Sequence, residues 1–202
     1  MHKQLSTDYG VMICNPPIEK TDPHVIKARL FNKGMKENAS IFQHTQGWVV
    51  AAEVLIGRGN KAYEYFRKFM PSAYNTKAEV RQTEPYVYAQ FTNSKFNPRY
   101  GASRLPWLSG TASWGYYTAA QYILGVQPDY KGLHIDPCIP SDWKEIKISR
   151  RFRAMNFNIV IQNPNGVQKG VKSISINGKE IVGNIILLDA MKVKNDVVVV
   201  MG

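Results

Sequence analysis

The sequence predicts a mixed fold, with a helical first half followed by an antiparallel β-sandwich-like second half. Three observations carry that expectation. Apolar residues recur at helical spacing up to about residue 125. From about Tyr130 the rhythm becomes short, β-rich and in several places alternating. Turn signals, Asn163-Pro164-Asn165-Gly166 and Asn177-Gly178, fall between the later runs. The division expected is a helical segment over 1–128 and a β domain over 129–202.

Taken in order, Gln46 to Gly57 is apolar nearly all round, the pattern of a helix buried on several sides. Gly57 and Gly59 punctuate its end, and Asn60 is placed to cap the next helix. There Ala62, Tyr65, Phe66, Phe69 and Met70 follow i, i+3, i+4, i+7 spacing, and Pro71 stops the run. Thr92 to Leu108 reads as a long loop. Its Phe96, Tyr100 and Trp107 favour an ordered one, and ordered loops of that length tend to be functional. A third helix follows from about Ser113 to Leu124, with Gly125 set to end it. In the second half Lys144 to Phe152, Met155 to Gln162, Val171 to Ile176 and Val197 to Met201 read as strands, with Val197 to Val200 fully buried or paired at an edge.

Composition narrows the classes of function. At 44% hydrophobic and 11% aromatic, the 202 residues supply one sizeable core or two modest ones and are not a disordered chain. The two cysteines, Cys14 and Cys138, match no metal-ligand spacing and read as reduced thiols of a cytoplasmic protein. No run has the roughly 20 apolar residues of a membrane span, so no membrane partner is expected. The net charge of +11 would suit nucleic acid. Its charges are dispersed, however, and the densest cluster, Arg150, Arg151 and Arg153, lies inside a strand-like alternation, so no nucleic-acid partner is expected. A basic protein that handles phosphate is the simpler account.

Three polar constellations could carry chemistry. Lys36-Glu37-Asn38 precedes Gln43-His44-Thr45 at the start of the buried helix, where a histidine suits either a structural hydrogen bond or an anion beside the helix dipole. Glu84-Pro85-Tyr86-Val87-Tyr88-Ala89-Gln90 sets an acid and an amide among aromatics, as sugar sites do and as ordinary strands also do. Ser109-Gly110-Thr111-Ala112-Ser113-Trp114 opens the third helix, where small hydroxyl residues suit phosphate or a plain N-cap. No HExxH, paired CxxC, GxSxG or P-loop is present, which leaves zinc and serine-hydrolase chemistry without support. No metal site and no cofactor is expected.

Together these runs resemble the cellobiose phosphorylase family. The resemblance rests on Gly34-Met35-Lys36-Glu37-Asn38, on Ile41-Phe42-Gln43-His44-Thr45-Gln46-Gly47-Trp48, on the Glu84–Gln90 run and on Trp107-Leu108-Ser109-Gly110-Thr111-Ala112-Ser113-Trp114. It continues through Gly132-Leu133-His134-Ile135-Asp136-Pro137 and Pro140-Ser141-Asp142-Trp143. It implies that the helical half is the C-terminal part of a six-fold α/α barrel. The implied reaction is inverting phosphorolysis of cellobiose, a β-1,4-glucoside, to α-glucose 1-phosphate and glucose. By the same resemblance His44, Ser109 and Gly110 contact phosphate, which is a substrate here. Gln90 lies beside phosphate and the reacting sugar, while Lys36 and Glu37 hold the acceptor sugar. Ser109 stands where relatives commonly have Thr. The family's catalytic aspartate and phosphate-binding arginines are expected upstream of these residues, leaving no catalytic acid in this chain. The upstream part of the same enzyme is therefore the expected partner, and the complete enzyme is expected to be a homodimer. A non-catalytic carbohydrate-binding module is the alternative reading.

Overall fold

A computed structural model describes residues 2–202 of the chain. In chain order the elements are α1 (His2–Leu5), β1 (Ser6–Thr7), β2 (Gly10–Val11), β3 (Ile41–Phe42), α2 (Gln46–Leu55), α3 (Gly59–Phe69), α4 (Ala78–Arg81), β4 (Ala89–Thr92), β5 (Ser103–Pro106) and α5 (Thr111–Tyr117). Then follow β6 (Val126–Pro128), β7 (Gly132–Ile135), β8 (Glu145–Phe152), β9 (Met155–Gln162), β10 (Val171–Ile176), β11 (Lys179–Ile181), β12 (Ile185–Leu187) and β13 (Lys194–Met201). The fold is mixed, with a few helices and several sheets. It divides into two compact units, one made of the residues up to Val50 with Glu64–Tyr116, the other of Ala51–Tyr63 with Tyr117–Gly202.

The first unit is organised by the antiparallel sheet β3-β4-β5. Ile41, Ala89 and Phe91 from this sheet are buried, as are Tyr65, Phe66 and Phe69 from α3. The helical spacing read over 62–70 therefore marks a true core face. α3 stops at Phe69, and Pro71 opens a 3-10 turn over Pro71–Lys77 instead. The stretch read as one long loop holds strand β5. Its remaining arc is closed by Asn93 N–H to Ala102 O (2.9 Å) and Gly101 N–H to Asn93 O (3.0 Å), which makes it the turn of a hairpin. Periodicity missed β5 because Ser103-Arg104-Leu105-Pro106 is too short and too polar to alternate.

α2 differs from its sequence reading. Trp48 is 51% exposed and Leu55 70%, whereas Glu53 is buried. Composition alone hid this, because an all-round apolar helix has no preferred face to reveal. Asn60 is not a helix cap either. Its Oδ1 accepts from the Ser141 N–H (2.8 Å) within the second unit, and α3 starts one residue earlier. The third helix begins at Thr111 and continues as a π-helix over Thr118–Ile123. Gly125 ends it with φ +66°, against the Asp136 carbonyl, where any Cβ would lie 2.2 Å from backbone.

The second unit holds the antiparallel sheet β12-β7-β6 and the five-stranded sheet β11-β10-β13-β9-β8. Phe157, Ile159, Ile161, Ile174, Ile176, Val197, Val199 and Met201 face its core. The Val197 to Val200 run is the middle strand, flanked by β10 and β9, and not an edge. It is buried only at alternate positions, and Val198 is 37% exposed. Its pairing with β9 is parallel, so the larger sheet is mixed where a purely antiparallel one was expected. The reason is topological. β9 and β10 run in opposite directions with a gap between them, so a strand inserted there must parallel one of them.

Two outcomes follow from this packing. Val199→Ala, at the centre of the middle strand, should destabilise the protein by about 2 kcal/mol in urea unfolding, and Val198→Ala by well under half of that. Cys138 is fully buried, and burial pushes its thiol up to about 11. Because the unfolded thiol ionises first, its contribution to stability is intact below about pH 9 and is lost as pH rises towards 11. A thiol reagent at pH 8 should therefore label Cys14 in the native protein, and Cys138 only after unfolding.

Candidate functional site

His44 sits in a 3-10 turn, Gln43–Thr45, that leads straight into α2. The turn is held on both sides by buried glutamines. Gln43 Nε2 donates to Thr92 Oγ1 (2.9 Å), and Thr92 Oγ1 in turn contacts Ser103 Oγ (2.8 Å). Gln46 Oε1 accepts from Val11 N–H (2.8 Å), while its Nε2 donates to the Val11 and Phe42 carbonyls. Buried, hydrogen-bonded amides fix a backbone more specifically than apolar contacts do. The turn that carries His44 is consequently held to β4, the strand that carries Gln90.

The Ser109-Gly110 pair arrives from the opposite side. Trp107 N–H donates to Tyr88 O (3.1 Å), and Ser109 N–H donates to Trp107 O (2.9 Å), so the loop is strapped to the end of β4. Ser109 Oγ accepts from Thr111 N–H (3.1 Å) and lies in close contact with Thr111 Oγ1, forming a hydroxyl turn at the start of α5. Gly110 is the tightest point. A Cβ built there would fall 2.5 Å from His44 Cε1 and 2.9 Å from Nδ1. The imidazole thus lies on the face of residue 110, and Ser109 is the next residue in the chain.

Around the imidazole stand two tryptophans. His44 meets Trp48 edge-on at 5.9 Å and Trp114 at 6.4 Å, and the two indoles are 5.9 Å apart in a T-shaped pair. His44 is half-buried in this group. Sequence reading had singled out His44 but neither indole as its neighbour. Trp48 lies in the first turn of α2, four residues after His44 in the 3-10 turn that leads into it, a spacing close to one helical turn.

The remaining expected residues are distributed unevenly. Gln90 is half-buried on β4, next to Ala89, whose carbonyl lies 3.5 Å from Thr111 Oγ1. Lys36 and Glu37 lie on a separate tight turn, closed by Gly34 N–H to Asn38 O (2.8 Å) and Asn38 N–H to Met35 O (2.9 Å). Asn38, almost fully buried, pins that turn through Ile18 N–H and the Phe31 carbonyl. Lys36 has φ +45° and its ammonium lies 5.3 Å from the Phe31 ring centre, while Glu37 is exposed. No hydrogen bond or ion pair joins Lys36 or Glu37 to His44, Gln90, Ser109 or Gly110 among the described residues. The structure seats the His44 ring on Gly110, the residue after Ser109, and leaves Lys36 and Glu37 on a separate turn.

The segment before β4 is shaped by a second polar group that the sequence did not disclose. Arg81 is buried, donating to the carbonyls of Glu84 (3.0 Å) and Val87. Burial pushes its pKa down, partly offset by nearby Tyr74, Glu84 and Tyr88. Burial also raises the phenols of Tyr74 and Tyr88. Three non-glycine residues near the loop adopt left-handed backbone, Tyr86 (φ +63°), Leu105 (φ +52°) and Trp107 (φ +70°), each costing roughly 1 kcal/mol or more. Among the described residues no cluster of three His, Cys, Asp or Glu is arranged to hold a metal ion. No helix among them is long and apolar enough to cross a membrane.

Residues 1–125 match the family described as the Glycosyl hydrolase 94 superfamily, catalytic domain. The chain belongs to that family. It is 38% identical over 200 residues to an N,N'-diacetylchitobiose phosphorylase of Vibrio proteolyticus, covering 99% of this chain and 25% of that protein. A second N,N'-diacetylchitobiose phosphorylase, from Vibrio furnissii, is 36% identical over 90% of this chain and 23% of its own length. A solabiose phosphorylase of Paenibacillus borealis is 32% identical over 90% of this chain and 24% of its own length. The chain thus spans about a quarter of the relatives it matches.

The contact at Gly110 makes a specific prediction. Gly110→Ala should displace the imidazole, because the new methyl must move ring atoms only 2.5 Å away. The His44 ring resonances should shift, and stability should fall by about 1 to 3 kcal/mol. Ala112→Gly, two residues on and exposed, should leave the His44 resonances in place.

Proposed function

We propose that this chain is the C-terminal part of a disaccharide phosphorylase in which His44, Ser109 and Gly110 hold the attacking phosphate. The observation that carries the reading is the seating of the His44 imidazole on Gly110, whose neighbour in the chain is Ser109. An imidazole N–H, a backbone N–H at a glycine and a serine O–H are three donors suited to three phosphate oxygens. When Thr111 O–H donates to Ser109, the Ser109 proton is free to turn towards the anion. Gln90 on β4 would share phosphate and the reacting sugar, and Lys36 with Glu37 would bind the acceptor sugar from the adjacent turn.

In this reaction a phosphate oxygen forms a bond to the anomeric carbon while the glycosidic bond breaks. The leaving oxygen takes a proton from an acid on the opposite face, giving inversion. That acid, an aspartate, lies outside these residues in our reading, as does the rest of the six-fold α/α barrel to which the first unit would belong. The substrate is a disaccharide, with cellobiose and N,N'-diacetylchitobiose the two to be compared. The complete enzyme would work in the cytoplasm as a dimer, with no cofactor.

The test is to assay sugar 1-phosphate release from each disaccharide and phosphate, using the chain alone and with the remainder of the enzyme supplied in trans. The chain alone should be inactive, since losing general acid help costs roughly 10²- to 10⁴-fold, and loss of further charged donors weakens phosphate binding. Restored activity should fall by about 100-fold in His44→Ala, the scale of one lost anion donor. Robust turnover by the isolated chain would overturn the assignment of the acid, and undiminished turnover in His44→Ala would overturn the phosphate site.

A further inference from the structure

Two residues before Ser109, the loop presents an indole to solvent. Trp107 is 73% exposed, yet it is fixed at three points. Its N–H donates to Tyr88 O (3.1 Å), its carbonyl accepts from Ser109 N–H (2.9 Å), and its indole Nε1 donates to Glu84 Oε1 (3.2 Å). Its backbone is left-handed at φ +70°, a conformation that glycine would adopt without strain. An exposed side chain gains little from burial, so the packing of the first unit gives no reason for an indole at this position. Strained, over-determined residues of this kind gather at binding sites.

From this geometry we infer that Trp107, steadied by Glu84, is a platform for a sugar ring of the substrate at the edge of the phosphate site. The inference rests on the phosphorylase reading and adds a specificity-determining contact to it. Anchoring the indole through its ring N–H fixes the ring plane and leaves its faces to solvent. A pyranose lays its C–H face on such a ring while its hydroxyls need acceptors at the rim. Glu84 is exposed and supplies a carboxylate at that rim. Tyr86, 68% exposed and also left-handed, stands two residues from Glu84 and adds a second aromatic surface to the segment before β4. The backbone link from Trp107 to Ser109 ties the platform to the phosphate donors, so a sugar lying on the indole belongs to the molecule that phosphate attacks.

The test uses the 202-residue chain, ¹⁵N-labelled, with its four indole N–H resonances assigned by Trp107→Phe and comparable single variants. Cellobiose and N,N'-diacetylchitobiose are titrated separately, and inorganic phosphate is titrated while the His44 ring is followed. The Trp107 indole signal should shift saturably with at least one disaccharide. Trp107→Ala should weaken that binding tenfold or more, and Glu84→Gln several-fold, with the His44 response to phosphate unchanged. Trp107→Gly should abolish the sugar response while leaving the melting temperature equal or higher, because it relieves the left-handed strain; a merely structural tryptophan would lower it. Sugars that move Trp48 or Trp114 but leave Trp107 still would overturn the platform, as would silence of all indoles while phosphate continues to perturb His44. A saturable Trp107 response without any phosphate effect on His44 would retain the platform and remove the phosphorylase reading beneath it.

Discussion

The arrangement of the candidate site depends on one missing atom. Residue 110 has no Cβ, and the His44 imidazole occupies the space where one would be. Two segments 66 positions apart in the chain can therefore touch, the turn before α2 and the loop before α5. Any larger residue at 110 would push the imidazole off the backbone at this point. In the proposed site, the donors would then no longer share one anion.

That contact is useful only if both partners are held still, and the surrounding structure does this with polar groups more than with apolar bulk. Gln43 and Gln46 lock the turn carrying His44, and the Gln43–Thr92–Ser103 chain ties it to β4 and β5. On the other side, the Trp107–Tyr88 backbone bond and the Ser109–Thr111 turn fix the loop. Arg81 sets the shape of the segment from Glu84 to Val87 by bonding its carbonyls, at the cost of burying a cation. Such fully matched networks give one backbone arrangement, where apolar packing alone would tolerate several.

Much of this was legible in the sequence, and the rest was hidden for identifiable reasons. The core face of α3, the helix stop at Pro71 and the end of the third helix at Gly125 follow from local rules of spacing and backbone freedom. The three-residue β11 and β12 were too short to show a period, whereas strands β8, β9, β10 and β13 were visible as short β-rich runs. The place of β13 was not, because a Val-rich run looks alike at an edge and in the middle, and only long-range pairing inserts it between β9 and β10. In the site, His44, Ser109 and Gly110 were found from motif resemblance and residue type. Of their supports, Thr92 and Ser103 are distant in sequence and ordinary in type, so nothing local marks them, while Gln43 and Trp114 stand inside the motifs without any local sign of a supporting role. The face of α2 escaped notice because its residues are apolar all round, and the burial of Glu53 in place of Trp48 is a tertiary outcome.

The central claim is that His44, Ser109 and Gly110 converge on one anion. Its most direct measurement is a crystal structure of the chain soaked with tungstate, a phosphate analogue whose heavy atom is located by anomalous scattering. The account places the anion within hydrogen-bond reach, about 3 Å, of the imidazole, the Ser109 hydroxyl and the Gly110 N–H together. Tungstate bound instead along the Arg150, Arg151 and Arg153 strand, with the His44–Gly110 contact empty, would contradict it.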